Sequence, residues 1–135
     1  MTYLLDTNIV TAILKDDPKV IQKIEQTILD EEDIFINALS YYEIKRGLLA
    51  SNATTKLARF EELCNQFGII LFDILTIFDR ASEIYLELRK PVPHTPLEDA
   101  DILIAALAQT KGFVLVSHDN HFNRISDLIT EDWLN

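Results

Sequence analysis

Four brief apolar runs, Tyr3-Leu-Leu5, Ile34-Phe-Ile36, Ile69-Ile-Leu-Phe72 and Phe113-Val-Leu-Val116, constrain this chain more than any other feature. Each is short, carries β-branched or aromatic residues and is bounded by polar ones, so each predicts a buried strand. Helical patterns lie between them. From Lys19 to Leu29 the residues Val20, Ile21, Ile24, Ile28 and Leu29 share one stripe of a helix, and Leu57, Phe60, Leu63, Cys64 and Phe67 form another. Strands that alternate with helices predict a three-layer α/β/α fold, in which helices flank a central, mainly parallel, twisted sheet. Neither a repeat nor a linker interrupts the pattern, so residues 1–135 are read as a single domain. A domain of this length buries roughly two-thirds of its unfolded surface and needs no disulfide to fold.

Composition removes several alternatives. Apolar residues make up 48% of the chain and charged residues 25%, with only 3 Gly and 4 Pro, which argues against long disordered tracts. Cys64 has no partner for an internal disulfide and sits in a helical pattern, which fits a reducing, cytoplasmic setting. The opening Met1-Thr-Tyr-Leu-Leu-Asp6 has no basic region and meets a carboxylate at once, unlike a secretory signal. No apolar run approaches the roughly 18 residues of a membrane span, so no membrane association is expected. Twelve Lys and Arg stand against 22 Asp and Glu, and the net charge of −10 opposes loose attraction to phosphate backbones. A nuclease survives this test, because a cation held among carboxylates inverts the local field where a phosphate docks.

Helix starts are written in capping chemistry. Ser40-Tyr-Tyr-Glu43 and Thr95-Pro-Leu-Glu98 both match the capping box, and Thr76-Ile-Phe-Asp79 is a shorter version. The stretch Arg89-Lys-Pro-Val-Pro-His-Thr-Pro96 reads as a non-helical connection.

In open parallel sheets, ligands bind beyond the carboxyl ends of the strands. Carboxylates recur there: Asp6 follows the first run, Asp119 the last, and Glu43 and Asp101 lie in helices that begin after strands or loops. Several carboxylates at one edge cannot all stay ionised without cations, and all-oxygen sites suit Mg²⁺ or Mn²⁺. Asp101 is the sharpest case. Ala100 and the run Ile102-Leu-Ile-Ala-Ala-Leu-Ala108 make its helix apolar nearly all round, hence buried, and an ionised carboxylate at the start of such a helix needs a partner. Structural roles compete at every position. Asp101 can serve the helix dipole, Glu43 the cap with Ser40, Asp6 an N-cap ahead of Ile9, Val10 and Ile13, and Asp119 a turn.

Taken in order, Tyr3-Leu-Leu-Asp6-Thr-Asn-Ile9, Ser40-x-x-Glu43-Ile-x-x-Gly47, Asp101-Ile-Leu-Ile-Ala-Ala106, and Val116-Ser-His-Asp119-Asn-His-Phe122 with Asp132-Trp133 resemble a PIN domain of the VapC toxin family. The likeness spans the whole chain. It implies a PIN-like version of the three-layer fold and an endoribonuclease dependent on Mg²⁺ or Mn²⁺, the toxin of a toxin–antitoxin pair. It further implies a structured RNA substrate such as a tRNA or an rRNA loop, neutralisation by a VapB-like antitoxin, and a homodimer. By the same resemblance Asp6, Glu43, Asp101 and Asp119 are the catalytic, metal-binding carboxylates, and Thr7, Asn8 and Ser117 support them. Asp99 lies two residues from Asp101 and so points elsewhere on the helix, which leaves it an outer supporting place, while Glu98 belongs to its cap.

His118 and His121 lack the cysteines of a structural zinc site and read as residues at the rim. Lys45, Arg46, Arg89 and Lys90 read as solvated charges, some of them able to cradle RNA. Other acidic α/β classes fit less well. A phosphoryl-accepting receiver domain requires an acidic pair near the first strand and a lysine after the last, where this chain has Asp6-Thr-Asn8 and Ser117-His-Asp119. A haloacid-dehalogenase-like phosphatase requires a second aspartate where Asn8 stands. A catalytically inactive PIN-like scaffold remains the alternative within the family, disfavoured because all four acidic positions are filled.

Overall fold

The period-two alternation of strand β1 (Thr2–Leu5) divides the molecule into two hydrophobic cores, Tyr3 and Leu5 facing one and Leu4 the other. The computed structural model describes residues 1–89 and 97–135. After β1 come α1 (Thr7–Leu14), α2 (Pro18–Leu29), β2 (Asp33–Asn37), α3 (Ala38–Ala50) and α4 (Thr54–Phe67). Then follow β3 (Ile69–Ile70), α5 (Leu75–Leu88), α6 (Asp99–Lys111), β4 (Val114–Val116), a 3₁₀ turn at Asn120–Arg124, and β5 (Thr130–Glu131).

The sheet runs β3-β2-β1-β4-β5 with every described pairing parallel, and β1 lies at its centre with Tyr3 opposite both Ile34 and Val114. Ile34, Ile36, Val114 and Val116 join Tyr3 and Leu5 against α1 to α4, while Phe35 and Leu115 join Leu4 against α5 and α6. A strand buried on both faces has no polar side to show, which is why the three runs of the inner strands β1, β2 and β4 read as continuous apolar stretches. The expected three-layer α/β/α architecture is therefore present.

Helix α6 is the most deeply set, with Ala105, Ala106, Leu107 and Ala108 fully buried and Ile104 nearly so. It stops where Gly112 takes a left-handed φ of 71° and Phe113 donates back to the Ala108 carbonyl. It starts at Asp99 with Glu98 at the N-cap and no side-chain cap bond, so Glu98 is not the third residue of a capping box. Thr95 and Pro96, with most of the expected 89–96 connection, lie outside the described residues.

Two other expected caps are displaced. Helix α3 begins at Ala38, two residues before Ser40, because buried Asn37 at the end of β2 accepts the Ser40 N–H and takes the N-cap. Helix α5 begins at Leu75 after Ile74, with no side-chain cap, so Thr76 lies inside it. Asp17 does cap α2, accepting from the Lys19 and Val20 N–H groups with Pro18 at the first helical position. Strand β5 went unpredicted, since two polar residues at a sheet edge carry no periodic signal.

The buried seam between α6 and the sheet carries the greatest cost of truncation. Leu107→Ala is expected to lower stability by about 2–5 kcal/mol, and Leu86→Ala, on the exposed side of α5, by less than about 0.5, both read from urea denaturation.

Candidate functional site

Strand order decides where a ligand fits. The connection leaving β1 passes toward β2 while the one leaving β4 passes toward β5, so these neighbours part at their carboxyl ends and open a crevice. Asp6 follows β1 directly and Asp119 lies just beyond β4. A cleft of about 830 Å³ stands there, lined by Asp6, Thr7, Asn8, Glu43, Asp101 and Asp119 and, toward its mouth, by Lys15 and Leu134. All four carboxylates expected at the site border it. Asp99 does not; it is exposed and faces a separate groove against Phe78 and Tyr85 of α5.

Asp6 occupies the N-cap position of α1, yet its side chain makes no cap bond. The carboxylate is instead buried and accepts from the Ser117 hydroxyl at 2.8 Å, across the β1–β4 seam. Ser117 in turn accepts from the Asp119 N–H at 3.0 Å. Asn8 completes the stitch, its Oδ1 accepting from the His118 N–H at 3.1 Å. One buried serine thus fixes the positions of two aspartates.

Glu43 is relieved of the capping role that Ser40 suggested. Its Oε2 lies 3.3 Å from the Thr7 hydroxyl, which is 2.8 Å from the Ser40 hydroxyl, and Ser40 accepts from the Asn37 amide at 2.8 Å. An ionised carboxylate only accepts, so the single Thr7 proton serves Glu43 and the Ser40 proton serves Thr7. The other hydrogen of the Asn37 amide reaches the Leu5 carbonyl at 3.0 Å, which ties this relay to the end of β1. Asn37 is the residue that sequence reasoning missed; a lone Asn three places ahead of Ser40, at a strand end, was its only mark.

Asp119 does perform the turn role, its Oδ1 accepting from the His121 N–H at 2.8 Å, with the His121 ring 3.2 Å away. That role engages Oδ1 alone. His118 turns from the cleft toward Asp132, Nδ1 to Oδ2 at 2.9 Å, which suits a residue of the rim. Lys45 bonds the Tyr41 hydroxyl, while Arg46 and Arg89 lie over the rings of Tyr42 and Tyr85. Lys90 lies outside the described residues.

Among the described residues, the ion pairs of Arg59, Arg80 and Lys111 go to Asp16, Glu83, Glu87 and Asp73 and reach none of Asp6, Glu43, Asp101 or Asp119. Their proximity shows in their proton affinities. Burial raises the Asp6 carboxyl above its ordinary value, opposed by bonds from Ser117 and the Thr7 N–H and reinforced by the charges of Glu43 and Asp119. Asp101 is pushed up to about 6, first by burial and then by the negative charges of Asp6, Asp119, Glu98 and Glu43. No three His, Cys, Asp or Glu side chains among the described residues are drawn together into a ready metal cage. Like-charged carboxylates keep apart.

A family model described as the PIN domain matches residues 3–128. The chain belongs to the PIN-domain family. Among curated proteins it is 28% identical to Ribonuclease VapC1 of Haemophilus influenzae strain R2866 over 134 residues, covering 98% of each chain. Among solved structures, the VapBC-1 complex of nontypeable Haemophilus influenzae matches at 27% identity and a TM-score of 0.85, covering 100% of both chains. The DNA-bound VapBC of Salmonella typhimurium matches at 26% identity and a TM-score of 0.85, covering 98% of both. No helix among the described residues of this PIN domain is long and apolar enough to cross a membrane.

The raised Asp101 value fixes a sign. A carboxyl that holds its proton more tightly folded than unfolded adds stability below 3.8 and loses that contribution as pH rises toward about 6. In EDTA, the melting temperature is expected to fall over that interval, and Asp101→Asn to flatten the fall and melt higher at pH 7. A variant whose melting curve tracks wild type across the interval would contradict the electrostatic crowding.

Proposed function

We propose that this PIN domain is an endoribonuclease, the toxin of a toxin–antitoxin pair, which cuts structured RNA such as a tRNA or rRNA loop with Mg²⁺ or Mn²⁺. The observation that carries this reading is a single cleft bordered by Asp6, Glu43, Asp101 and Asp119, where, among the described residues, the ion pairs of Arg59, Arg80 and Lys111 all lie elsewhere. The VapC ribonuclease and VapBC likenesses support it.

Asp6, Glu43, Asp101 and Asp119 are the residues that would hold the cation. Mg²⁺ keeps several waters and takes one or two carboxylates directly, which suits a set that lines one cleft without closing a cage. When bound, the cation supplies an activated water and offsets charge on the phosphate oxygens. The surrounding residues do the positioning. Ser117 holds the Asp6 carboxylate against the β1–β4 seam, Thr7 holds Glu43, and Asn8 fixes the strand end that carries Asp119. None of them is a nucleophile. Each sets the direction in which a carboxylate presents its lone pairs, an outer-layer role whose loss costs about 10–100-fold in metal affinity or activity.

A VapB-like antitoxin fits the same electrostatics, since an Arg or Lys offered by a partner would add counter-charge to the four carboxylates of the cleft. For the homodimer, exposed Leu75, Phe78 and Leu86, with Tyr85 beneath Arg89, give α5 an apolar face open to solvent.

Expression of the soluble chain alone is expected to arrest bacterial growth, and co-expression of its antitoxin to restore it. In vitro, EDTA is expected to stop RNA cleavage and Mg²⁺ or Mn²⁺ to restore it. Asp101→Asn should remove several kcal/mol of transition-state stabilisation, a rate loss on the order of a hundredfold or more, while still folding. Cleavage by Asp101→Asn at close to the wild-type rate would falsify the assignment, and undiminished activity in EDTA the metal requirement.

A further inference from the structure

A chain with net charge −10 must still hold a polyanion, so the few cations it leaves uncommitted are informative. Most are engaged. Arg59 pairs with Asp16, Arg80 with Glu83 and Glu87, and Lys111 with Asp73. Lys15, Lys19, Lys23 and Lys56 are exposed and take part in no ion pair or side-chain hydrogen bond among the described residues, and of these the first three line clefts at the site. Lys15 lines the mouth of the acidic cleft. Lys19 and Lys23 line a second cleft of about 510 Å³ along α2, with Gln22 and Gln26, against Trp133 and Asn135. Leu134 borders the first cleft and its neighbours Trp133 and Asn135 the second, so the two hollows share a wall one residue thick.

The anions nearby are already satisfied from within. Asp17 caps α2, Asp16 holds Arg59, and Asp132 accepts from His118, the Leu134 N–H and the Asn135 amide. These carboxylates are held in place by bonds within the fold, and among the described residues the Lys19 and Lys23 ammonium groups and the Gln22 amide of this groove are left without such partners. On the helix, Lys19 and Lys23 stand one turn apart, about 6 Å along the axis, comparable with the separation of successive phosphates on a nucleotide strand. The buried stripe of α2, Val20, Ile24 and Thr27, lies about a quarter-turn round the helix from the two lysines.

We propose that Lys15, Lys19 and Lys23 form a backbone track that carries the RNA strand from the carboxylate cleft along α2, gripping phosphates flanking the one that is cut. This rests on the endoribonuclease reading and adds to it the path of the substrate. The three lysines are positioning residues. They bind the strand in ground and transition states alike, so their loss raises KM and spares kcat. The Gln22 and Gln26 amides face the same groove, where they can meet sugar or base edges.

The test is steady-state cleavage of end-labelled bulk tRNA in Mg²⁺ by wild type, Lys19→Gln/Lys23→Gln, Lys19→Arg/Lys23→Arg and Lys111→Gln, from low to high salt. Lys111, at the far end of α6 from Asp101, is the charge-matched control. Removing two phosphate contacts is expected to flatten the slope of log KM against log salt by about 1.4 and to raise KM roughly 25-fold at about 0.1 M salt. The arginine pair and Lys111→Gln should stay near wild type, and kcat should be unchanged throughout. A glutamine pair that matches Lys111→Gln in KM and slope overturns the track while leaving the nuclease reading intact. Unchanged RNA kinetics with lost antitoxin binding would hand the lysines to a protein partner and overturn it too. A wild-type protein that cuts no RNA removes both readings at once.

Discussion

Two parallel strands whose onward connections part in opposite directions leave a seam that no crossover covers, and the rest of this structure is arranged around closing it. The Asp6 N–H donates to the Val116 carbonyl at 2.9 Å and the Ser117 hydroxyl to the Asp6 carboxylate at 2.8 Å, so backbone and side chain stitch the same gap. A buried carboxylate is costly unless hydrogen-bonded or neutralised. Here serine supplies the hydrogen bond. Burial first, and then the crowding of like charges, lifts Asp101 to about 6, and both make the cleft receptive to positive charge of any origin, an ion or a partner's side chain.

Much of the fold was legible because the strands are buried on both faces. Continuous apolar runs at Tyr3–Leu5, Ile34–Ile36 and Phe113–Val116 mark strands in the sequence, and all three lie in the inner sheet. Legibility fades at the edges. Strand β3 ends at Ile70, although the apolar run continues to Phe72, and β5, Thr130–Glu131, is too short and polar to announce itself. There pairing to a neighbour defines the strand, and composition does not.

At the site, residue types were legible and their local duties were not. Ser40-x-x-Glu43 has the form of a capping box, but Asn37 captures the helix start, because a buried amide with bonds to both Leu5 and Ser40 outcompetes a hydroxyl three residues on. The displaced box frees Glu43 for the cleft. Asp6 sits at a helix start as its sequence suggests, but turns its carboxylate to Ser117, a partner 111 residues away that no local pattern could reveal. Asp101 was readable from its setting: a helix apolar on every side can only be buried, and a charge at its mouth then has a limited choice of company. Asp99 shows the same geometry in reverse, two residues away and turned to the opposite groove.

The two helices that supply Asp101 and Glu43 are not seated alike. Helix α6 is walled in from Ile104 to Ala108, whereas α3 buries only Ser40 and Ile44. Asp101 has a short side chain on an immovable mount; Glu43 has one more rotatable bond on a mount that faces solvent along much of its length. The two sides of the cleft therefore differ in how firmly their carboxylates are mounted. The ordering entropy of gripping a ligand falls mainly on the Glu43 side, and variation in a ligand's size is absorbed there before it reaches the core.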